Sequence, residues 1–149
     1  MMRTKTYQIN IKAPVEQVFY KMLDRPTYKL WTAEFQPTSD YEGGWNKGDK
    51  IYFIGINKEG KREGMIAKIA EHIPNKFISI AHYGILHGDT EILEGPAVEG
   101  WTGCTENYHF EEQDDVTTVT VKVDVMDQYL TYFDETWPKA LARLKQICE

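Results

Sequence analysis

Residues 126–149 read MDQYLTYFDETWPKALARLKQICE, and this closing stretch decides the fold. Its apolar residues Met126, Leu130, Phe133, Trp137, Leu141, Leu144 and Cys148 recur at spacings of three and four, with Tyr129, Ala140 and Ile147 flanking the line. That spacing draws one wide apolar stripe along a helix of 3.6 residues per turn. Asp134, Glu135, Lys139, Arg143, Lys145 and Gln146 fill the opposite side. Asp127 is the expected N-cap. Pro138 lies inside the pattern, lacks the amide that would reach the Asp134 carbonyl, and predicts a kink. Nearly everything upstream reads as strand, so the expected architecture is α+β, with a sheet wrapped around this one long helix.

Working outward, Thr117 to Val125 alternates Val119, Val121, Val123 and Val125 with Thr118, Thr120, Lys122 and Asp124, the period-two pattern of a half-buried strand. The acidic turn Glu112–Asp115 joins it, as an antiparallel hairpin, to an expected strand over Trp101–Glu111. That strand puts Tyr108 and Phe110 on one face and Asn107 and His109 on the other. At the far end of the chain, Thr6 to Lys12 alternates Tyr7, Ile9 and Ile11 with polar residues. Pro14 then suits the first position of a helix carrying Val15, Val18, Phe19, Met22 and Leu23. Asp24-Arg25-Pro26 is read as a break before a short helix over Thr27–Trp31.

The middle of the chain reads as strands over Ser39–Glu42, Lys50–Ile56, Lys61–Ile73 and Phe77–His82. The Lys50–Ile56 strand carries bulky residues on both faces, which implies burial on both sides or a bulge at Gly55. The strand Lys61–Ile73 is long enough to need a bulge. Asn57–Gly60 is a hairpin loop with Gly60 in the left-handed position. Tyr83–Glu99, with three separated glycines, a proline and four acids, is read as a long loop, with room for a short hairpin, and either a lid over the mouth of the structure or a plain surface excursion.

Composition bounds the function. The chain has 149 residues, enough for one domain over 1–149 with a sizeable core. No apolar run approaches the roughly 20 residues of a membrane span, and the first residues hold no apolar segment of a signal peptide. The expected location is the cytoplasm, with no membrane partner. A formal net charge of −6 with no basic block argues against nucleic acid. Cys104 and Cys148 have no metal-like spacing and are read as core thiols.

The ordered set of motifs resembles the START/birch-pollen-allergen (SRPBCC) superfamily, and within it the family named for the activator of the 90-kDa heat-shock-protein ATPase. The residues that carry the likeness are Ile11-Lys12-Ala13-Pro14-Val15-Glu16-Gln17-Val18-Phe19, Trp31, the turn Gly44-Trp45-Asn46-Lys47-Gly48, Gly64-Met65-Ile66-Ala67-Lys68-Ile69, and Trp137 with Ala140-Leu141-Ala142-Arg143-Leu144. The resemblance spans the chain and implies a helix-grip fold: a curved antiparallel sheet of six or seven strands around the C-terminal helix, two short helices after the first strand, and an apolar cavity between sheet and helix. It does not name a ligand, because fold does not fix function.

Candidate chemistry follows from that placement. His72, His82, His87 and His109 form no metal-binding pattern, and no cofactor is expected. His82 ends a strand bordering the expected cavity, and Glu106 shares the inward parity of Tyr108. A carboxylate there can serve as acid or base, although a basic partner or strand-end exposure is the commoner fate of such a group. Trp31, Trp101, Tyr108, Tyr129, Phe133 and Trp137 are expected to converge between helix and sheet. A dry void of about 300 Å³ costs on the order of 7 kcal/mol at about 24 cal/mol per Å³, comparable to a whole domain's stability. The rings therefore close the cavity, or water or a ligand fills it.

Three functions remain open at this point. The first is a binder of a small, mainly apolar or aromatic ligand, lined by Trp31, His82, Trp101, Glu106, Tyr108, Tyr129, Phe133 and Trp137. The second is a cyclase- or hydrolase-type enzyme using His82, Glu106 or a tyrosine. The third is a co-chaperone-like module, although this length leaves no room for the separate N-terminal domain of the eukaryotic activators. The assembly is expected to be a monomer or a homodimer.

Overall fold

The computed structural model describes residues 2–149. Eight antiparallel strands and three helices follow in the order β1 (Met2–Ile11), α1 (Val15–Leu23), α2 (Arg25–Thr32), β2 (Asp40–Gly43), β3 (Lys50–Ile56), β4 (Arg62–Ile73), β5 (Phe77–His87), β6 (Thr90–Ile92), β7 (Thr105–Gln113), β8 (Val116–Met126) and α3 (Leu130–Cys148). One sheet runs β1-β8-β7-β5-β4-β3-β2, with short β6 paired to β5. Its inner face packs on all three helices around a single large core holding Tyr7, Trp31, Ile69, Ile80, Tyr108, Val121, Trp137 and Leu141.

The alternating patterns land as expected on β1 and β8, where Tyr7, Ile11, Val119, Val121, Val123 and Val125 are all buried. The β7–β8 turn tightens to Asp114-Asp115, both at positive φ (53° and 65°), the backbone that a two-residue hairpin demands. Both faces of β3 are buried: Ile51 and Phe53 join the main core, while Ile54 joins Ile66 and Leu86 in a small cluster on the outer face. Gly55 stays in register opposite Glu63, without a bulge.

Two bulges shape the middle of the sheet. The expected one in β4 falls at Ala70, between the pairs Ile69–Ile80 and Glu71–Ser79. The second falls at Tyr83, between Ala67–His82 and Ile66–Gly84. A bulge residue shifts the side-chain parity by one. His82, ahead of the bulge, still faces inward beside Ala67 after Ile78 and Ile80, while beyond it Gly84 and Leu86 face outward beside Ile66.

The span 83–99 differs from its reading as a loop. β5 continues to His87 and turns at Gly88 into β6, which raises the strand count to eight. Gly84 looked like a breaker, but a Cβ there would meet Leu93 Cδ2 at 2.8 Å and Ile92 O at 3.1 Å. The glycine is what lets the β6 segment lie against the outer face of β5.

Helix ends explain two further departures. Asp24 is shared as the last cap of α1 and the first of α2, so Arg25 and Pro26 open the second helix instead of breaking the chain. All four final carbonyls of α1 are satisfied: Tyr20 by the Asp24 N–H, Lys21 by the Thr27 hydroxyl, Met22 by the Trp31 indole (3.0 Å) and Leu23 by the Tyr41 hydroxyl (2.7 Å). The residue four on from Met22 is Pro26, which has no N–H, so the indole takes its place.

The long helix starts later than the stripe suggests. Met126 ends β8, Asp127–Tyr129 make a 3-10 turn, and Leu130 opens α3 behind Tyr129 as cap, with no side-chain cap bond. The carboxylate of Asp127 accepts instead from Arg3 Nε at 2.6 Å. The helix runs unbroken through Pro138, which lies on the exposed side together with Asp134. The carbonyl that loses its amide donor there is on the side that water reaches.

Candidate functional site

Between α3 and the sheet, the interior is a continuous chain of rings. Trp137 on α3 meets Tyr7 on β1 at 6.1 Å, Trp31 on α2 at 6.0 Å, Tyr108 on β7 at 6.3 Å and Phe35 at 4.9 Å between ring centroids. Phe133, one turn earlier on α3, reaches the chain through Phe35 at 6.3 Å. Trp31 continues to Tyr28, Tyr28 to Phe53, and Phe53 to His82 at 6.0 Å. Trp101 closes the far end, 5.7 Å from His82 with its plane 32° away. Offset and edge-on pairs at these separations add to the burial energy of the rings themselves.

One polar chain crosses this aromatic interior. The inward parity of β7 carries Glu106 and Tyr108 to the same side as Ile80 and Val123, and His82, two residues on from Ile80 and ahead of the Tyr83 bulge, keeps that inward parity on β5. Tyr108 donates its hydroxyl to Glu106 Oε2, and Glu106 Oε1 lies 3.7 Å from His82 Nε2. Burial holds the Tyr108 hydroxyl well above the ordinary phenol value, helped by the charge of Glu106. Tyr28 is raised for the same two reasons, burial first and Glu106 second. Both phenols therefore keep their protons across the working range, and Glu106 faces hydrogen-bond donors.

Four buried side-chain polar atoms have no protein hydrogen-bond partner among the described residues: Nε1 of Trp45, Oδ1 of Asn107 and, on two buried residues of the ring chain, Nδ1 of His82 and Nε1 of Trp137. His82 is 5% exposed and Trp137 3%. Leaving such an atom unpaired costs about 1–3 kcal/mol, so each calls for an explanation.

Seven of the eight residues singled out from the sequence come together here: Trp31, His82, Trp101, Glu106, Tyr108, Phe133 and Trp137. Tyr129 does not; the 3-10 turn before α3 leaves it 50% exposed. Trp101 does not arrive on a strand, because β7 begins only at Thr105, and it sits in the turns that precede it. Sequence reasoning missed Tyr28, Phe35 and Phe53 as wall residues. For Phe53, the alternation with Ile51 was a usable signal, and for Tyr28 the three-residue spacing to Trp31 on α2; Phe35 lies between elements, where no period applies.

Two hollows open on the surface, of about 420 Å³ beside Arg62, His87 and Asp89 and about 220 Å³ beside Lys76, His109 and Thr118. Neither draws a lining residue from α3 or from the ring chain. In the first, Arg62 is already paired with Glu42 and Asp89. Among the described residues no group of His, Cys, Asp and Glu has the arrangement of a metal site, and no helix is long and apolar enough to cross a membrane.

This architecture is the helix-grip fold, and comparison with solved structures agrees. The Aha1 dimer from Colwellia psychrerythraea superposes with a TM-score of 0.71 at 21% identity, covering 99% of this chain and 96% of that one. Protein MLL2253 from Mesorhizobium loti matches with a TM-score of 0.71 at 14% identity, over 97% and 95% of the two chains. CalU16 from Micromonospora echinospora gives 0.67 at 16%, over 98% and 74%. No protein-family model and no curated protein matches the chain. At these identities the likeness establishes the shared fold.

Proposed function

We propose that the protein binds a small, mainly apolar or aromatic molecule between α3 and the sheet, against the ring chain and the polar line Tyr108–Glu106–His82. The observation that carries this reading is the pair of unpaired buried atoms, His82 Nδ1 and Trp137 Nε1, set in an otherwise apolar wall. A domain stable by roughly 5–15 kcal/mol does not retain two such costs in its centre without a return. A bound molecule that presents polar atoms to them supplies one. The rings fill the interior in the form described here, so binding requires part of the wall to move. Trp101 is the wall ring on irregular backbone, between the left-handed glycines Gly100 and Gly103.

Native mass spectrometry of the purified protein, followed by thermal shifts against lipid and aromatic libraries, tests the proposal. A co-purified small molecule, or stabilisation by one chemical class, supports it. A chain free of small molecules and unmoved by every library member contradicts it. Measuring the mass of the assembly in the same experiment answers a second point: a homodimer is the assembly proposed, by analogy with the dimer of the C. psychrerythraea structure.

A second reading draws on the same polar line. Glu106 lies 3.7 Å from His82, about half an ångström beyond the hydrogen bond that a general acid–base pair makes, a gap that a substrate-bound form can close. If a substrate is found and Glu106→Gln and His82→Ala both leave its turnover intact, that reading fails.

A further inference from the structure

Building on the binding reading above, we infer that the interior takes an aromatic alcohol, whose hydroxyl donates to Nδ1 of His82 while its ring lies against Trp101 and Phe53. The argument starts from the proton inventory. Glu106 accepts from the Tyr108 hydroxyl at one oxygen and faces His82 Nε2 at 3.7 Å with the other. At that separation there is no hydrogen bond, but a carboxylate on the Nε2 side favours the tautomer with its proton there, which leaves Nδ1 as a lone-pair acceptor. The main chain of His82 is already committed. Its N–H donates to the Cys104 carbonyl and its carbonyl accepts from the Gly103 N–H, both at 2.9 Å. The main chain of His82 is therefore fixed on both sides, and Nδ1 is its fully buried atom without a partner among the described residues.

The partner must therefore bring a donor. The surroundings restrict what carries it: Phe53 lies 6.0 Å away edge-on and Trp101 lies 5.7 Å away at a shallow tilt, two walls that favour a flat apolar body. An ammonium donor also fits the acceptor, but it brings a charge into a buried site. A neutral hydroxyl donates to the imidazole without that cost.

The test compares 2-naphthol with 2-methylnaphthalene, near-isosteric rings that differ in hydroxyl against methyl, by titration calorimetry on the full chain. An interior without an acceptor prefers the more apolar methyl compound. The inference predicts 2-naphthol tighter by about ten-fold or more, the scale on which a buried polar group left unpaired penalises the analogue lacking its partner. His82→Phe, which keeps a ring and removes the acceptor, is expected to reverse the order. If that variant does not fold, nitrogen-15 NMR of the unmodified protein decides. The inference expects Nδ1 of His82 unprotonated in the free protein, and shifted by 2-naphthol but not by the methyl compound. A protonated Nδ1, or equal or methyl-favouring binding, overturns the inference while leaving an apolar binder in place. Binding of neither compound counts against the broader reading too.

Discussion

Replacing each of two buried tryptophans with phenylalanine separates the energetics of packing from those of the unpaired donor. Trp31 and Trp137 sit in the same ring chain at 1% and 3% exposure. Trp→Phe removes roughly 40 Å³ from either site, worth about 1 kcal/mol at about 24 cal/mol per Å³. The difference lies in the indole nitrogen. Trp31 Nε1 donates to the Met22 carbonyl at 3.0 Å, the carbonyl that Pro26 cannot serve. Its loss leaves a buried acceptor alone, adding about 1–3 kcal/mol. Trp137 Nε1 has no protein partner, so its removal relieves a cost of the same size. Trp31→Phe should therefore lose about 2–4 kcal/mol, and Trp137→Phe should fall between unchanged and about 2 kcal/mol more stable. Urea denaturation of both variants beside the parent, with unchanged m-values, gives the comparison. Equal losses would refute the reasoning, because they would mean that the Trp137 indole already has a partner in the resting protein.

Three other outcomes follow from the same structure. Tyr108→Phe strips Glu106 of its buried donor and should lose about 1.5–3 kcal/mol in the same urea titration, the range for hydrogen bonds to charged groups; a neutral result would show that the Glu106 carboxyl does not depend on that hydroxyl. Asp124, whose burial opposes ionisation, is nonetheless held below the usual carboxylate range by the Thr105 N–H and the Thr4 and Thr105 hydroxyls. A depressed native pKa gives stability that is present above the unfolded value of about 3.9 and lost as pH falls through the native one. The Tm gap between parent and Asp124→Asn should accordingly close as pH drops below about 4, whereas a gap constant with pH would contradict the assignment. Both thiols should be silent towards a disulfide reagent near pH 8 until the chain is unfolded, because burial raises Cys104 and pushes Cys148 up to about 11; rapid labelling of the native protein is the opposing result.

Much of this fold was legible because periodicity is a strong local signal. The three-four stripe of α3 and the valine alternation of β8 belong to long elements, each half-buried, so one face of the pattern records the core. The errors fall where a single tertiary contact overrode a local rule. Gly84 looked like a loop residue, yet it is a strand position kept small by Leu93 and the Ile92 carbonyl. Asp127 had cap chemistry but pairs with Arg3 across the β1 edge, and the helix begins two residues later, with Tyr129 turned to solvent. Arg25-Pro26 looked like a break because the sharing of Asp24 between two helices depends on how they pack.

The site was half legible in the same sense. Strand parity placed Glu106 and Tyr108 on the inner face directly. His82 joins them on the alternation it shares with Ile78 and Ile80; the Tyr83 bulge, which leaves no mark in composition, changes the parity of β5 only beyond it. Phe35 escaped because it lies between elements, where neither period applies. The unpaired indole of Trp137 could not be read at all, since whether a donor is satisfied is a property of the assembled interior.

The central claim, a binding interior between α3 and the sheet with His82 at its polar end, is tested most directly by titrating isotope-labelled protein with 2-naphthol and following the tryptophan indole and histidine ring signals together. The account predicts saturable shifts at His82, Trp101 and Trp137, with His87 and His109 beside the two surface hollows unmoved. Shifts confined to His87 or His109, with the Trp137 indole unchanged, would place binding on the outer surface and contradict it.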